Sequence, residues 1–599
     1  MATNASTRAP FTFQFGASST VKRTFEFVPA KVTPQDAFFR LFPDVATLVF
    51  EELARIDRPT THSAGWMRVA QVNGLWRATT MNLPMLWARD FLTRGYKRGL
   101  DQLITHAQSC PLTLDLQLPR EVPDMRRMLE LLPRTKSLLR SGSLQAITLI
   151  LQVLQHNQFP LLEEVTLSCH EQNATSILEN SDLSKHPSLR TVTLNGCILP
   201  IPDHVTSLFI TLRGRERASH ATYMSQLLDT LAHTPRLRSL TVHLHEFVDF
   251  GIARFGGLPE HTTHLPALTE LVLDDPSDRT GGAVVAFLNH INAPSLTRVR
   301  VTEAYRYAQL DRDSSTQRQG VMRELQDLLS YFKWTACIRN PTFLAVESCM
   351  VHPTGYKGIW PDAHMLSVRI ESHVPQTSSL VSAEDPRSLS IHLCCKGNPR
   401  QAFPATIPHA LGTANVSLQH IKVLDVDLSW FGELSTSIET LLRQCSNVEK
   451  IIIGHKSAHE STHEVFQALT QYTLGGADHF RQLPFHIDQE ILLPRLRTIE
   501  LPNANVNRTH FLELLYARFR CGVPLHCFII PGEKHDSQAG MSKKSMPAAL
   551  IRDNVVGRFR SFATGIGAKL EAKDTSPRGK PGTCPMEIIF SFPVTLNDT

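Results

Sequence analysis

"LPRLRTIEL" at 493–501 is nearly the same phrase as "TPRLRSLTV" at 234–242, and four relatives stand elsewhere in the chain: "FPLLEEVTL" (159–167), "HPSLRTVTL" (186–194), "LPALTELVL" (265–273) and "APSLTRVRV" (293–301). Aligned on the proline, all six read P-x-L-x-x-[LIV]-x-[LIV]. Apolar residues spaced first by three and then by two fit neither an uninterrupted helix nor an uninterrupted strand. The pattern describes a corner followed by a short strand, made repeatedly. In "TPRLRSLTVHL" Leu237 sits at the corner, while Leu240, Val242 and Leu244 alternate and so face one side of a strand. The proline disfavours helix in the residue before it, so a preceding helix ends there.

The corner prolines Pro160, Pro187, Pro235, Pro266 and Pro294 are 27, 48, 31 and 28 residues apart. An interval near 28 holds one helix and one strand, and the interval of 48 hides a degenerate turn around "HVTSLFITL". Helical runs such as "YMSQLLDTLAH", "GGAVVAFLNHIN" and "SIETLLRQC" alternate with the strands. Weaker copies continue in "RSLSIHL" (387–393), "LQHIKVLDVDL" (418–428) and "SNVEKIIIG" (446–454). "IIIG" is apolar throughout its first three positions, as in a parallel strand covered on both faces. Recurrence of one phrase marks stacked equivalent units. The texture resembles leucine-rich repeats, which implies an α/β fold with a leucine-rich-repeat-like solenoid over 100–530. A doubly wound α/β domain is the alternative that also alternates helix and strand.

At 599 residues the chain far exceeds one globular core. Its 61 basic and 56 acidic residues nearly balance, at a formal net charge of +5, and this balance calls for neither nucleic acid nor an anionic membrane as partner. The eleven cysteines are scattered, apart from the adjacent Cys394 and Cys395, and form no C-x-x-C, so they read as reduced, small apolar residues. The first thirty residues lack a signal-peptide core, and no run of about 18 apolar residues exists to span a bilayer. The expectation is an intracellular protein, cytoplasmic or nuclear.

Residues 1–34 read as disordered. Helical periodicity starts in "PQDAFFRLFPDVATLVFEELARID", where Val45, Leu48, Val49, Leu53 and Ile56 recur at intervals of three and four, with Pro43 suited to a first turn. After the polar break "DRPTTHSAG" a second helix is predicted in "WMRVAQVNGLWRATTMN", with Trp66, Val69, Val72 and Trp76 along one side. A short third segment follows in "LPMLWARDFL". This small three-helix domain, 35–95, buries little surface by itself and must pack on other parts or bind a partner. At the other end, 531–584 reads as a disordered basic tail or insertion and 585–599, with "MEIIFSFPV", as a terminal strand.

Chemical motifs are few. "HESTH" places His459, Glu460 and His463 at the H-E-x-x-H spacing that on a helix binds zinc. The segment directly follows the strand "EKIIIG", its variable positions are Ser461 and Thr462, and no third histidine follows, so no metal and no cofactor are predicted. "GIGAK" at 565–569 lacks both the third glycine and the strand of a dinucleotide loop, and neither a phosphate-binding G-x-x-x-x-G-K-[ST] nor G-x-S-x-G occurs. A zinc hydrolase using the "HESTH" segment is a remote alternative.

"LFPDVATLVF" (41–50) resembles the opening of the F-box, with Pro43, Asp44, Val45, Val49 and Phe50 in register. "WMRVAQVNGLWRATTMNLPMLW" (66–87) resembles the second half of the box in fungal F-box proteins, where Trp66, Arg68, Val69, Val72, Trp76, Arg77, Pro84, Leu86 and Trp87 keep the spacing. "HAQSCPLTLDLQL" (106–118) looks like the first strand after that box. The departures are Phe42, Ala46, Asn73, Gly74 and Leu75. The resemblance implies a non-catalytic substrate receptor of an SCF-type cullin–RING ubiquitin ligase, its box docked on the Skp adaptor and its repeats holding a protein target. By the same resemblance Phe42, Pro43, Val49 and Phe50 face the adaptor, while Val45, Leu53, Trp66, Val69, Val72, Trp76, Leu86 and Trp87 form the core of the box. A scaffold whose degenerate box binds no adaptor is the other reading.

Overall fold

The computed structural model describes residues 43–59, 63, 65–72, 74–89, 100–116, 130–169, 176–178, 183–213, 217–245, 262–275, 283–305, 325–332, 343–350, 363–372, 388–396, 406–414, 416–427, 435–454, 492–500, 514–515, 518, 523, 525–530, 560, 569–574 and 586–591. The segments 1–34 and 459–463 lie outside them, as do residues 531–584 save 560 and 569–574. The chain divides into two compact units, Met1–Leu139 with Phe159–Leu162 and Arg140–Gln158 with Glu163–Thr599.

The first unit contains α1 (Pro43–Ile56), a 3₁₀ segment (Gly65–Gln71), α2 (Gly74–Met81), α3 (Pro84–Arg89), α4 (Leu100–Ala107), β1 (Leu112–Asp115) and the start of β2 (Thr135–Gly142), which runs parallel to β1. Its interior is aromatic. Trp66 and Trp87 meet edge to face with ring centroids 5.3 Å apart, and the Trp87 indole N–H donates to the Thr80 carbonyl at 2.8 Å. Trp87 also lies 4.9 Å from the His106 ring, which ties α3 to α4 and carries the unit past the boundary at 95 that the sequence suggested. The predicted second helix is two pieces. The 3₁₀ turn ends before Gly74, where α2 begins, so a periodicity counted through this break puts Val72 on the wrong side.

Gly65 closes the polar break with a φ of +52°, and a Cβ there would meet the backbone of Asp57, Arg58 and Pro59 at 2.5 Å. The Trp66 N–H donates to the Asp57 carbonyl at 2.7 Å, and Arg68 reaches Asp57 Oδ2 at 2.9 Å.

The second unit opens with α5 (Leu144–His156), capped by Ser143, whose Oγ accepts from the Ala146 N–H. Its Ile147, Ile150, Leu151 and Leu154 form one buried stripe at intervals of three and four. Then come β3 (Glu164–Cys169), β4 (Ser176–Ile177), β5 (Thr191–Asn195), β6 (Cys197–Ile198), β7 (Ser207–Arg213), α6 (Arg217–Ala232), β8 (Ser239–His245), β9 (Thr263–His264), β10 (Glu270–Asp275), α7 (Ala283–Asn289), β11 (Ile291–Asn292) and β12 (Arg298–Tyr305). The later elements are β13 (Phe343–Met350), β14 (Ala363–Glu371), β15 (Ser388–Lys396), α8 (Thr406–Thr413), β16 (Val423–Asp427), α9 (Ser435–Gln444), β17 (Lys450–Gly454), β18 (Thr498–Glu500), β19 (Cys527–Ile530), β20 (Lys569–Asp574) and β21 (Met586–Ser591).

The fold is mixed α/β on an open, largely parallel sheet. Strands β3, β5, β7, β8, β10, β12 and β15 pair in that order, all parallel, and β13, β16, β17, β18 and β19 do the same. Between the two runs lies an antiparallel meander in which β14 pairs with both β15 and β13. The chain therefore skips ahead after β12 and works back, which the sequence reading did not foresee. A hairpin meander needs no proline corner, so the recurring phrase is silent about it.

The corner phrase has a structural basis. In all six copies the N–H of the leucine two residues after the proline donates to the carbonyl just before the proline, at 3.0–3.3 Å, for example Leu237 to Thr234. This is a four-residue turn with proline at its second position, where its fixed φ belongs. The same bond closes Pro202–Val205, Leu418–Ile421 and Cys445–Val448, which have no proline at that position. The first of these is the degenerate turn expected within the 48-residue interval, and its strand is β7. The corner residue and those three and five positions on are buried, as in Val205, Leu208 and Ile210, or Leu237, Leu240 and Val242. Leu268, Leu271, Leu496 and Ile499 are buried likewise. In β17 Ile451 and Ile453 are buried but Ile452 is only half-buried, so that strand is not fully covered on its second face.

Successive corners are joined by one repeated hydrogen-bond pair. The Arg190 carbonyl accepts from the N–H groups of Thr206 and Ser207, the Thr206 carbonyl from Arg238 and Ser239, the Arg238 carbonyl from Thr269 and Glu270, and the Thr269 carbonyl from Thr297 and Arg298, all at 2.8–3.0 Å. Lys422, Glu449 and Arg497 repeat the arrangement in the later run. The terminal strand predicted within 585–599 is β21, which pairs antiparallel with β19 and carries β20, "KLEAKD", at its other side. A charged strand in that position resists edge-to-edge pairing with another chain.

Candidate functional site

Helix α1 carries apolar residues on two faces. Phe50 (1% exposed) and Ala54 point inward, with Phe50 edge-on to Trp76 at 5.7 Å, and Leu53 is half-buried beside them. The opposite side holds Val45 (38% exposed), Leu48 (63%), Val49 (46%) and Ile56 (70%), a stripe at helical spacing left to solvent. Within it Arg55 bonds Glu52 at 2.6 Å, and this bond holds the Glu52 carboxyl below its usual range. Pro43 begins the helix as expected.

The sequence-derived residues divide as follows. Phe42 and the side chain of Pro43 lie outside the described residues, and Val49 is exposed. Phe50, expected to face a partner, is core. Trp66, Leu86 and Trp87 are buried, and Leu53, Val69 and Trp76 are half-buried. Val45 and Val72 (61% exposed), expected in the core, lie at the surface. Leu48 and Ile56, which the periodicity places on this helix but the resemblance assigns to no partner-facing position, are exposed as well. The signal was present: five apolar positions at helical spacing plus Phe50 and Ala54 are more than one buried stripe can use.

The second described surface is the outward face of the parallel sheet, where side chains alternate with the buried ones. Its middle row runs in register through Thr193, Phe209, Thr241, Val272 and Arg300. In the next row Thr211, His243 and Asp274 are neighbours, with His243 Nδ1 3.7 Å from Asp274 Oδ2. The His243 ring lies 4.7 Å from that of Phe209. Burial pushes the His243 imidazole below its usual range; Asp274 opposes the shift and Arg300 adds to it.

Among the described residues no group of His, Cys, Asp and Glu could hold a metal ion, and no helix is long and apolar enough to cross a membrane. His459, Glu460 and His463 lie outside the described residues. Burial, with Cys169 adding to it, pushes the Cys197 thiol up to about 12, and burial alone does the same for Cys445, so both stay protonated and unreactive. No protein-family model matches this chain, and no curated protein matches it.

Proposed function

We propose that the protein is the substrate-recognition subunit of an SCF-type ubiquitin ligase, with the F-box-like helices docking the Skp adaptor and a leucine-rich-repeat-like solenoid holding a protein target. The observation that carries this reading is the solvent-facing stripe Val45, Leu48, Val49 and Ile56 on α1, in the segment that resembles the box. A helix whose other face already fills its core has no intramolecular use for a second apolar stripe, and a partner helix or groove is what such a stripe fits. The repeated corner bonds and in-register parallel strands support the solenoid, whose extended surface suits protein binding.

The test is co-purification of the full chain with the Skp adaptor. Replacing Leu48→Asp and Val49→Asp together should abolish adaptor binding while leaving thermal unfolding unchanged, whereas wild-type affinity in the double variant would remove the assignment. The scaffold alternative draws on the inward position of Phe50, which takes one expected anchor away from the partner. A wild-type chain that never binds the adaptor would favour it.

A further inference from the structure

The outward positions beside Phe209 on β5, β7 and β8 hold only Thr, Ser, Asn and His, and the guanidinium on this face of β7, Arg213, stands at the far end of the strand. Depletion of charge around a half-buried aromatic ring, here Phe209, is the composition of the centre of a protein interface rather than of an ordinary surface. The adjoining strands change character. Glu270 accepts from the Ser239 hydroxyl at 3.0 Å and lies 4.0 Å from Arg298, and Asp274 lies 3.7 Å from His243. Arg300 is different: it is exposed and, among the described residues, makes no ion pair or hydrogen bond.

Arg300 stands in the same row as Phe209, three strand steps away through Thr241 and Val272. At about 4.8 Å per step the two are about 14 Å apart. An extended chain covers that distance in about four residues. The Thr241 hydroxyl between them, like that of Thr193 on the other side of Phe209, both donates and accepts, as main-chain amides require. With Glu270 and Asp274 alongside, one unpaired guanidinium is a poor match for a polyphosphate backbone and a good one for a single carboxylate.

We infer that this row takes an extended protein segment running across the strands, with an apolar side chain on Phe209 and an Asp or Glu about four residues away on Arg300. The inference rests on the reading of the repeats as the target-holding part, and its test does not involve the adaptor. Random dodecamer peptides displayed on phage are selected against the full chain, and the enriched peptides are measured on three proteins: wild type, Phe209→Ser and Arg300→Glu, each checked for an unchanged melting curve. The expected result is enrichment of an apolar residue spaced three to five positions from Asp or Glu, with at least tenfold weaker binding to both variants. Changing the peptide carboxylate to Lys should restore binding to Arg300→Glu. No enrichment, enrichment without that spacing, or binding indifferent to both substitutions would overturn the assignment, as would self-association of the chain abolished by Phe209→Ser, which would place a second copy on this face. A chain that binds such peptides but not the adaptor defeats only the ligase reading. One that binds the adaptor while its peptides ignore Phe209 and Arg300 defeats only this one.

Discussion

The ring of Phe50 meets the indole of Trp76 edge-on, with centroids 5.7 Å apart and ring planes at 84°. This contact assigns Phe50 to the interior of the helical unit and leaves the outer stripe of α1 to carry any recognition. Phe50→Ala should therefore cost about 3–5 kcal/mol, the usual loss for a buried phenylalanine. Leu48→Ala, at an exposed position, should change stability by about 0.5 kcal/mol or less. Urea unfolding of the full chain followed by tryptophan fluorescence separates the two, since three of the six tryptophans, Trp66, Trp76 and Trp87, lie in this unit and report its transition.

Two glycines of the same unit should respond with opposite signs. A Cβ at Gly65 meets backbone at 2.5 Å and the residue has a positive φ, so Gly65→Ala must displace the 57–59 segment and should destabilise by well over about 1 kcal/mol. Gly74 is helical with nothing within 4 Å of an added Cβ, so Gly74→Ala should stabilise by about 0.4–1 kcal/mol. Melting temperatures of the two variants moving in the same direction would contradict the geometry.

Arg518 is fully buried and donates to the carbonyls of Leu492 and Leu493 from its two terminal nitrogens, and to that of Leu496 as well, at 2.9–3.2 Å. It braces the corner before β18, where Leu493 takes a φ of +51° that disfavours a side chain. Arg518→Met leaves buried carbonyls short of donors and should cost about 2–4 kcal/mol. Arg518→Lys should be nearly as harmful, because one ammonium cannot reproduce the fork. Hydrogen exchange should show 492–500 losing protection while β5–β10 keep theirs.

Acid should weaken the fold before carboxylates titrate. Burial lowers His106, His243 and His526 below the ordinary value of 6.5, with Arg497 adding to the effect at His526. The unfolded chain then binds more protons than the folded one, so the stability these groups contribute is present above about pH 6.5 and is lost as pH falls toward their folded values. Urea midpoints should decline from pH 7.5 to pH 5. His243→Gln should flatten that decline, and an unchanged slope would show that His243 does not contribute.

The corner phrase was legible because it is local: a proline at the second turn position and the apolar residues that follow are fixed by steric rules and by alternation within nine residues. From it came the parallel strands, the buried sets such as Leu237, Leu240 and Val242, and the hidden turn at Val205. The sequence could not assign partners that depend on distant contacts. The meander of β13, β14 and β15 uses pairings between residues far apart in the chain, and no local signal orders them. The two apolar stripes of α1 have the same period, and only packing against Trp76 decides that Phe50 is inside while Leu48 and Val49 are out. Phe209 and Arg300, about 90 residues apart in the chain, share a row because of strand register, which is set by the core on the opposite face of the sheet.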